Sequence, residues 1–305
     1  MQFLAAFIMK GRMQAIMVAS AFALLSLVLP PVSIISSAAV ALVTLRLGPK
    51  EGLWVLLAGS LAAALLSTVL LGSYQFALLY SLLLWFPVAL IAWVLRNTRS
   101  LGMALEAAVG LAILVVVLFY ASQSDVAGFW LQILDVMTQS MQVANPDVTI
   151  DTFKESAELF AHYMTGGIAA GSVFGLLFGL FLARGWQASL YNPGGFVLEY
   201  KALKSHKLLA IFSMVLALLA AMASGLLAEI CLNILMVLFV LYTVLGASVL
   251  HGAFSGMKTA RFMLPFLYLT LLLIPHVMAL VAVLGLLDAA LDLRTKFNFN
   301  GNASS

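Results

Sequence analysis

Long uncharged runs, each closed by a charged bracket, set the pattern of this chain. No Asp, Glu, Lys or Arg occurs from Met13 to Leu45, from Gly52 to Leu95, from Leu208 to Ala228, from Ile230 to Met257 or from Phe262 to Leu287. A globular surface must present charge to water, whereas a bilayer span needs roughly 20 apolar residues to cross about 30 Å of hydrocarbon. The pattern predicts an all-α polytopic transmembrane helical bundle. Its spans are expected at 13–30, 32–46, 52–72, 74–95, 101–121, 164–184, 207–228, 230–251 and 262–287. Pro30-Pro31 divides the first run, and proline removes a backbone donor and crowds the preceding turn. That run reads either as two short spans or as one long kinked helix, so about nine spans are expected, or eight. Residues 1–305 then form a single integral membrane domain.

The segment 122–163 breaks the pattern. It carries Asp125, Asp135, Asp147, Asp151, Glu155 and Glu158 against a single Lys154. Trp130, Ile133, Leu134, Met137 and Met141 recur at three and four, an amphipathic helical spacing. Asn145-Pro146-Asp147 interrupts it. Thr152 and Glu155 then read as a capping box, and Phe153, Ala157, Phe160 and Met164 give a second helix its apolar side. Two amphipathic helices are expected in an outer loop. They either lie in the membrane interface or cover an outward-facing pocket.

Composition agrees. The chain is 64% hydrophobic and 9% charged, with a mean hydropathy of +1.12, where soluble domains carry about 25% charged residues. The net charge of +3 does not point to nucleic acid, because the basic residues cluster at span ends, where Lys/Arg bias sets orientation. Lys10/Arg12, Arg46/Lys50, Arg96/Arg99, Arg184/Lys201/Lys204/Lys207 and Lys258/Arg261 alternate with connections that are not basic. This places the N-terminus in the cytoplasm and 122–163 outside. Asp288, Asp292, Arg294 and Lys296 balance one another and leave the side of the tail open. The stretch after Lys10 and Arg12 is too long for a signal-peptide core and reads as a retained span. One cysteine, Cys231, makes no internal disulfide or CxxC clip.

Candidate chemistry is sparse. HExxH, GxSxG, intramembrane carboxylate pairs and Cys/His clusters are absent from the sequence, as is the GxxxxGK[ST] phosphate loop. No enzyme, cofactor or metal site is expected. Ionisable groups at membrane depth point to function. Glu229 and Asn233 lie four apart on one helix face, and His276 follows Pro275, where a broken helix exposes backbone at depth. These three are the substrate-binding candidates. The competing reading is that they satisfy hydrogen bonds across helices. Glu106 and His251 lie at span ends, within reach of the interface. Gly167, Gly171, Gly175 and Gly179 are spaced by four and predict a helix-packing face, against another helix of this chain or a partner subunit.

At Asn192-Pro193-Gly194-Gly195-Phe196…Glu199, and again at Gly285-Leu-Leu-Asp288…Asp292-Leu-Arg294, the chain resembles the YybS-like family of bacterial integral membrane proteins. That family looks distantly similar to the substrate-binding subunits of energy-coupling-factor transporters. The resemblance implies a helical substrate-capture fold in the bacterial cytoplasmic (inner) membrane, with small-residue faces that meet a partner. This chain has more spans than those six-helix subunits. Two functions follow. One is a transport component that captures a small solute from the outer side, beneath the 122–163 helices. The other is a non-transport scaffold or regulatory protein of the cell envelope. The expected partners are the lipid bilayer, a small-molecule ligand, and a partner membrane subunit or a second copy.

Overall fold

The computed structural model describes residues 2–144 and 151–296, and their side chains except at 141–144, 151–155 and 296. Met141, the Asn145-Pro146-Asp147 break, Phe153 and the Thr152/Glu155 cap fall outside that set. The regular structure of the described residues is helical throughout. In chain order the helices are α1 (Gln2–Ile8), α2 (Arg12–Leu25), α3 (Ser33–Leu47), α4 (Pro49–Leu71), α5 (Gln75–Tyr80), α6 (Phe86–Thr98), α7 (Leu101–Ser122) and α8 (Val126–Ala144). They continue as α9 (Asp151–Ala161), α10 (Met164–Tyr191), α11 (Gly195–Lys201), α12 (Lys207–Met222), α13 (Leu226–Ser255), α14 (Ala260–Leu273), α15 (Pro275–Leu291) and α16 (Leu293–Lys296). Six helical segments are long and apolar enough to cross a membrane: Pro30–Leu47, Pro49–Leu71, Gln75–Thr98, Leu101–Ser122, Met164–Tyr191 and Leu226–Ser255. The bent pair α14–α15 makes a seventh if it counts as one span. Helices α2 and α12 are apolar but shorter, at 14 and 16 residues.

Local chemistry fixes the boundaries. Pro49 opens α4, where its missing N–H costs nothing. Gly72 ends the same helix at φ 72°, a left-handed conformation that glycine adopts without strain. The Ser100 hydroxyl accepts from the Met103 N–H at 3.3 Å and caps α7. A widened π turn over Ser81–Trp85 joins α5 to α6. There the indole N–H of the fully buried Trp85 donates to Ser36 Oγ at 3.0 Å.

The uncharged run 13–45 is two helices, not one kinked rod. Ser36 Oγ donates to the Ala19 carbonyl at 2.7 Å across 17 residues, so α3 folds back on α2. Pro30 and Pro31 sit in the short 3-10 turn at the reversal, where two missing donors prevent a continuous helix.

Two clusters share a central helix. Helix α3 packs against α2, α4 and α6, while α13 packs against α7, α12 and α15, and α10 touches both centres. Every residue from Ser36 to Leu45 is buried, as is every residue from Val240 to Val249. The tightest approach joins α13 to α15. A Cβ at Gly246 would overlap the Val281 carbonyl oxygen, and one at Gly285 would overlap that of Tyr242. Such contact between backbones supplies van der Waals attraction in lipid, where no hydrophobic drive exists between helices.

Within this chain the glycine row on α10 is only partly packed. Gly171 and Gly175 have nothing within 4 Å of an added Cβ. Gly179 packs on Ser37 and Val88, and Gly167 only brushes the end of Met236. An α-helix turns 3.6 residues, so positions four apart drift by about 40° per step and the row winds off any one face. The close contact at the top of α10 is made by Gly166 instead, against the backbone of Asn233.

The basic brackets gather at one end. Arg12 pairs with Glu51 at 2.5 Å, and Arg96 Nη1 donates to the Leu45 and Arg46 carbonyls at 2.5 and 2.8 Å. The Arg46 guanidinium stacks over Tyr191 at 4.0 Å. Glu106 accepts from the His206 N–H at 2.7 Å and from Ser205 Oγ at 2.9 Å. Helices α8 and α9 lie at the opposite, acidic end beside the start of α10. Of their expected apolar stripes, Trp130 and Leu134 are half-buried and Ala157 is buried, whereas Ile133, Met137 and Phe160 are exposed.

The expected crossing over 262–287 is broken at Pro275, and sharply. Ile274 is held extended at φ −122°, ψ 92° before Pro275, and the axes of α14 and α15 turn by 113°. Tyr268 of α14 meets His251 in the last turns of α13, Oη to Nδ1 at 2.8 Å. After α15 the chain is tied to that same end. Arg294 Nη2 donates to Ser248 Oγ at 2.8 Å, Arg294 Nη1 to the Lys201 carbonyl at 2.6 Å, and Lys204 pairs with Asp292 at 2.7 Å. The pair therefore leaves the basic end and returns to it, with the exposed Ile274–Pro275 bend at its tip.

Candidate functional site

At the acidic end the start of α13 carries Glu229 and Asn233 one turn apart, and α7, α10 and the turn before α10 close on them. Tyr120 Oη, at the end of α7, donates to Glu229 Oε1 at 2.7 Å. His162 Nδ1 lies 2.6 Å from Glu229 Oε2. Asn233 is fully buried and accepts from the Gly166 N–H at 2.5 Å. Its amide nitrogen reaches Tyr120 Oη at 3.0 Å, and the carbonyls of His162 and Glu229 at 2.8 Å each. Trp130 of α8 donates to Thr165 Oγ1 beside it at 2.7 Å. The two expected residues are thus brought together, and both are satisfied by the protein. A polar group taken out of water must find partners, and these have found them within the fold. Tyr120, His162, Gly166 and Trp130 were not expected here. No spacing in the sequence connects them, since each comes from a different element.

His276 is not part of this cluster. It sits next to the bend on α15, exposed, and makes no side-chain hydrogen bond among the described residues. Proline does break the helix there, as expected, but the break leaves the imidazole outside the bundle rather than in a pocket. No group of His, Cys, Asp and Glu side chains among the described residues could hold a metal ion.

A second arrangement lies at the basic end, on the flank where α10, α11, α13 and the bent pair meet. They flank an open apolar groove of about 590 Å³. Phe174, Phe178 and Phe181 of α10 line one wall, and Leu271, Leu272 and Met278 of the bent pair line the facing one. Thr243, Val244 and Ala247 of α13 form the back. The groove is apolar over its length and polar at one edge, where Tyr200, His251 and Tyr268 converge. The Tyr200 and His251 rings pack edge to face at 5.4 Å between centres. Burial, and next the neighbouring Tyr268, push the Tyr200 phenol well above its ordinary value, so it stays a neutral hydroxyl.

Local sequence explains this geometry. Gly194 takes φ 83° and turns the chain into α11, which carries Phe196 and Tyr200 back onto Phe181. The turn at Asn192-Pro193-Gly194-Gly195 thus places an aromatic helix under the end of α10. The spacing of Phe174, Phe178 and Phe181 at i, i+4 and i+7 was a legible signal for one wall. Tyr268, Leu271 and Met278 were not legible, because only the 113° bend turns them toward α10. No family model, curated protein or solved structure matches this chain.

Proposed function

We propose that this protein is a transport component of the bacterial cytoplasmic membrane that handles an amphiphilic molecule. The apolar part of the ligand occupies the aromatic groove, and its polar end meets Tyr200, His251 and Tyr268. The observation that carries this reading is the shape of the groove: apolar over most of its wall, polar at one edge, and closed on one side by a pair of helices that enters and returns at the same end. Ligand sites are concave and mostly apolar, with a few polar groups that set orientation. The YybS-like resemblance, with the substrate capture it implies, belongs to this proposal and rests on its motifs alone.

Capture of a small solute through Glu229 and Asn233 would have to displace six close polar contacts first. That favours a clamp holding α7, α10 and α13 together at the outer end, and it moves the ligand site to the basic end. In the proposed topology the basic end is cytoplasmic and 122–163 is outside. Helices α2, α3, α4, α5–α6, α7, α10, α12 and α13 cross, and α14–α15 is re-entrant. Nine crossings would place Arg294 and Lys201 on opposite faces of the membrane, against the 2.6 Å bond between them.

A photoactivatable fatty acid in vesicles containing the full chain tests the ligand class. Labelling is expected in α10 between Phe174 and Phe181 and in α14 near Leu271, and Ala247→Trp, which fills the back of the groove, is expected to abolish it. Equal labelling of the lipid-facing surface at Leu65 and Val69, with no effect of Ala247→Trp, refutes the reading.

A further inference from the structure

On the other side of α11 from the aromatic groove lies a cleft of about 630 Å³ with the opposite character. Arg46 reaches it from the end of α3, Arg96 and Arg99 from the end of α6, and Arg184 and Gln187 from α10, with Glu199 of α11 completing the wall. Four guanidinium groups therefore face one carboxylate. Arg184 is spent, since its Nε donates to Glu199 Oε2 at 2.8 Å, its Nη2 to Glu199 Oε1 and its Nη1 to Gln187 at 3.2 Å. The remaining three have no acidic partner among the described residues. Arg96 uses one nitrogen on two carbonyls. Arg46 stacks on Tyr191, and its guanidinium makes no hydrogen bond among the described residues. Arg99, in a left-handed conformation at φ 53° that ends α6, projects from the reversed turn.

We infer that this cleft binds a phosphate group. Like charges gathered around one hollow repel, and an anion between them removes that repulsion. The guanidinium fork matches phosphate oxygens two at a time, which a lysine ammonium does not. Orientation of the chain in a membrane needs basic residues only somewhere in each inner loop. It does not need three arginines from two helices turned into a common cleft while Lys10, Lys50 and Lys258 stay outside it. The inference stands apart from the aromatic groove, because α11 separates the two and no residue lines both. The phosphate belongs either to the headgroup of an anionic lipid at the membrane surface or to a soluble phosphate compound.

Native mass spectrometry of the full chain, released from nanodiscs of equal phosphatidylglycerol and phosphatidylcholine, tests the site and its source. The expected result for the lipid source is selective retention of phosphatidylglycerol. Arg46→Gln with Arg99→Gln is expected to lower that retention at least about tenfold, the scale of one lost charge-assisted contact, while phosphatidylcholine is unchanged. Arg99→Lys alone keeps the charge and loses the fork, so it is expected to restore little. Titration with inorganic pyrophosphate separates the sources. Saturable binding that Arg99→Gln weakens, without lipid selectivity, assigns the site to a soluble phosphate. Retention of both lipids alike together with no pyrophosphate binding overturns the inference. So does an Arg46→Gln/Arg99→Gln protein that stays folded and binds as the parent does.

Discussion

Adding one methyl group at Gly246 or Gly285 is expected to weaken the whole bundle, and the contact geometry gives the size of the effect. A Cβ at Gly246 would lie 2.8 Å from the Val281 carbonyl carbon and 3.0 Å from the Gly285 nitrogen, and one at Gly285 would lie 2.7 Å from the Gly246 nitrogen. Unstrained carbon contacts lie at about 3.5–4.0 Å. All these atoms are backbone, so none can rotate away, and α13 and α15 must part by roughly 1 Å. A gap of that order forfeits a quarter to a half of each atom pair's attraction along the seam. Overpacking of this kind costs about 1–3 kcal/mol. Alanine's better helix propensity opposes it by at most about 1 kcal/mol, so the net sign is destabilising. At Gly171 and Gly175 there is nothing within 4 Å to meet the new group, so only the propensity gain remains. Equilibrium unfolding in mixed micelles reads the difference directly: Gly246→Ala and Gly285→Ala fall below the parent, while Gly171→Ala and Gly175→Ala match or exceed it. If all four variants move together, the seam is not where these helices meet.

Three further outcomes follow from the same contacts. In a Cys231→Ser background, cysteines at Met257 and Thr295 are expected to react with an impermeant maleimide from the same side, and one at Ser140 from the other; opposite sides for 257 and 295 would rule out the re-entrant pair. Asn233→Ala strands the Gly166 N–H in a buried site, at a cost of about 1–3 kcal/mol, and hydrogen exchange at 162–167 is expected to rise; unchanged exchange there would show that Asn233 is no clamp. Asp288 and Arg294 form a buried pair at 2.8 Å with side chains 4% and 5% exposed. Arg294→Met alone is expected to cost about 3–5 kcal/mol by leaving a charge unpaired, and Asp288→Leu added to it to recover most of that. A double variant as unstable as the single one would mean that Arg294 acts through Lys201 and Ser248 instead.

The sequence by itself determined that the described chain is helical, roughly where most of its long helices begin, and which of their ends are basic. These features are local. A charge-free run long enough to cross hydrocarbon, a Ser100 cap or a Gly72 stop acts within a turn or two of its own position. The pairing of Glu229 with Asn233 was legible for the same reason, because four residues is one helical turn. What lay across from them was not. Tyr120 comes from α7 and His162 from the residues before α10, and only the placement of whole helices brings them within 3 Å. Because a spacing of four follows no single face for long, helix placement within this chain packed Gly179, and Gly166 beside the row, and left Gly171 and Gly175 open. Pro275 announced a break but not its angle. The 113° turn was set by where Gly246 receives α15 and where Ser248 and Lys201 hold Arg294. Tertiary structure decided which groups meet, because contacts between helices depend on rigid-body positions that a period along one helix does not encode.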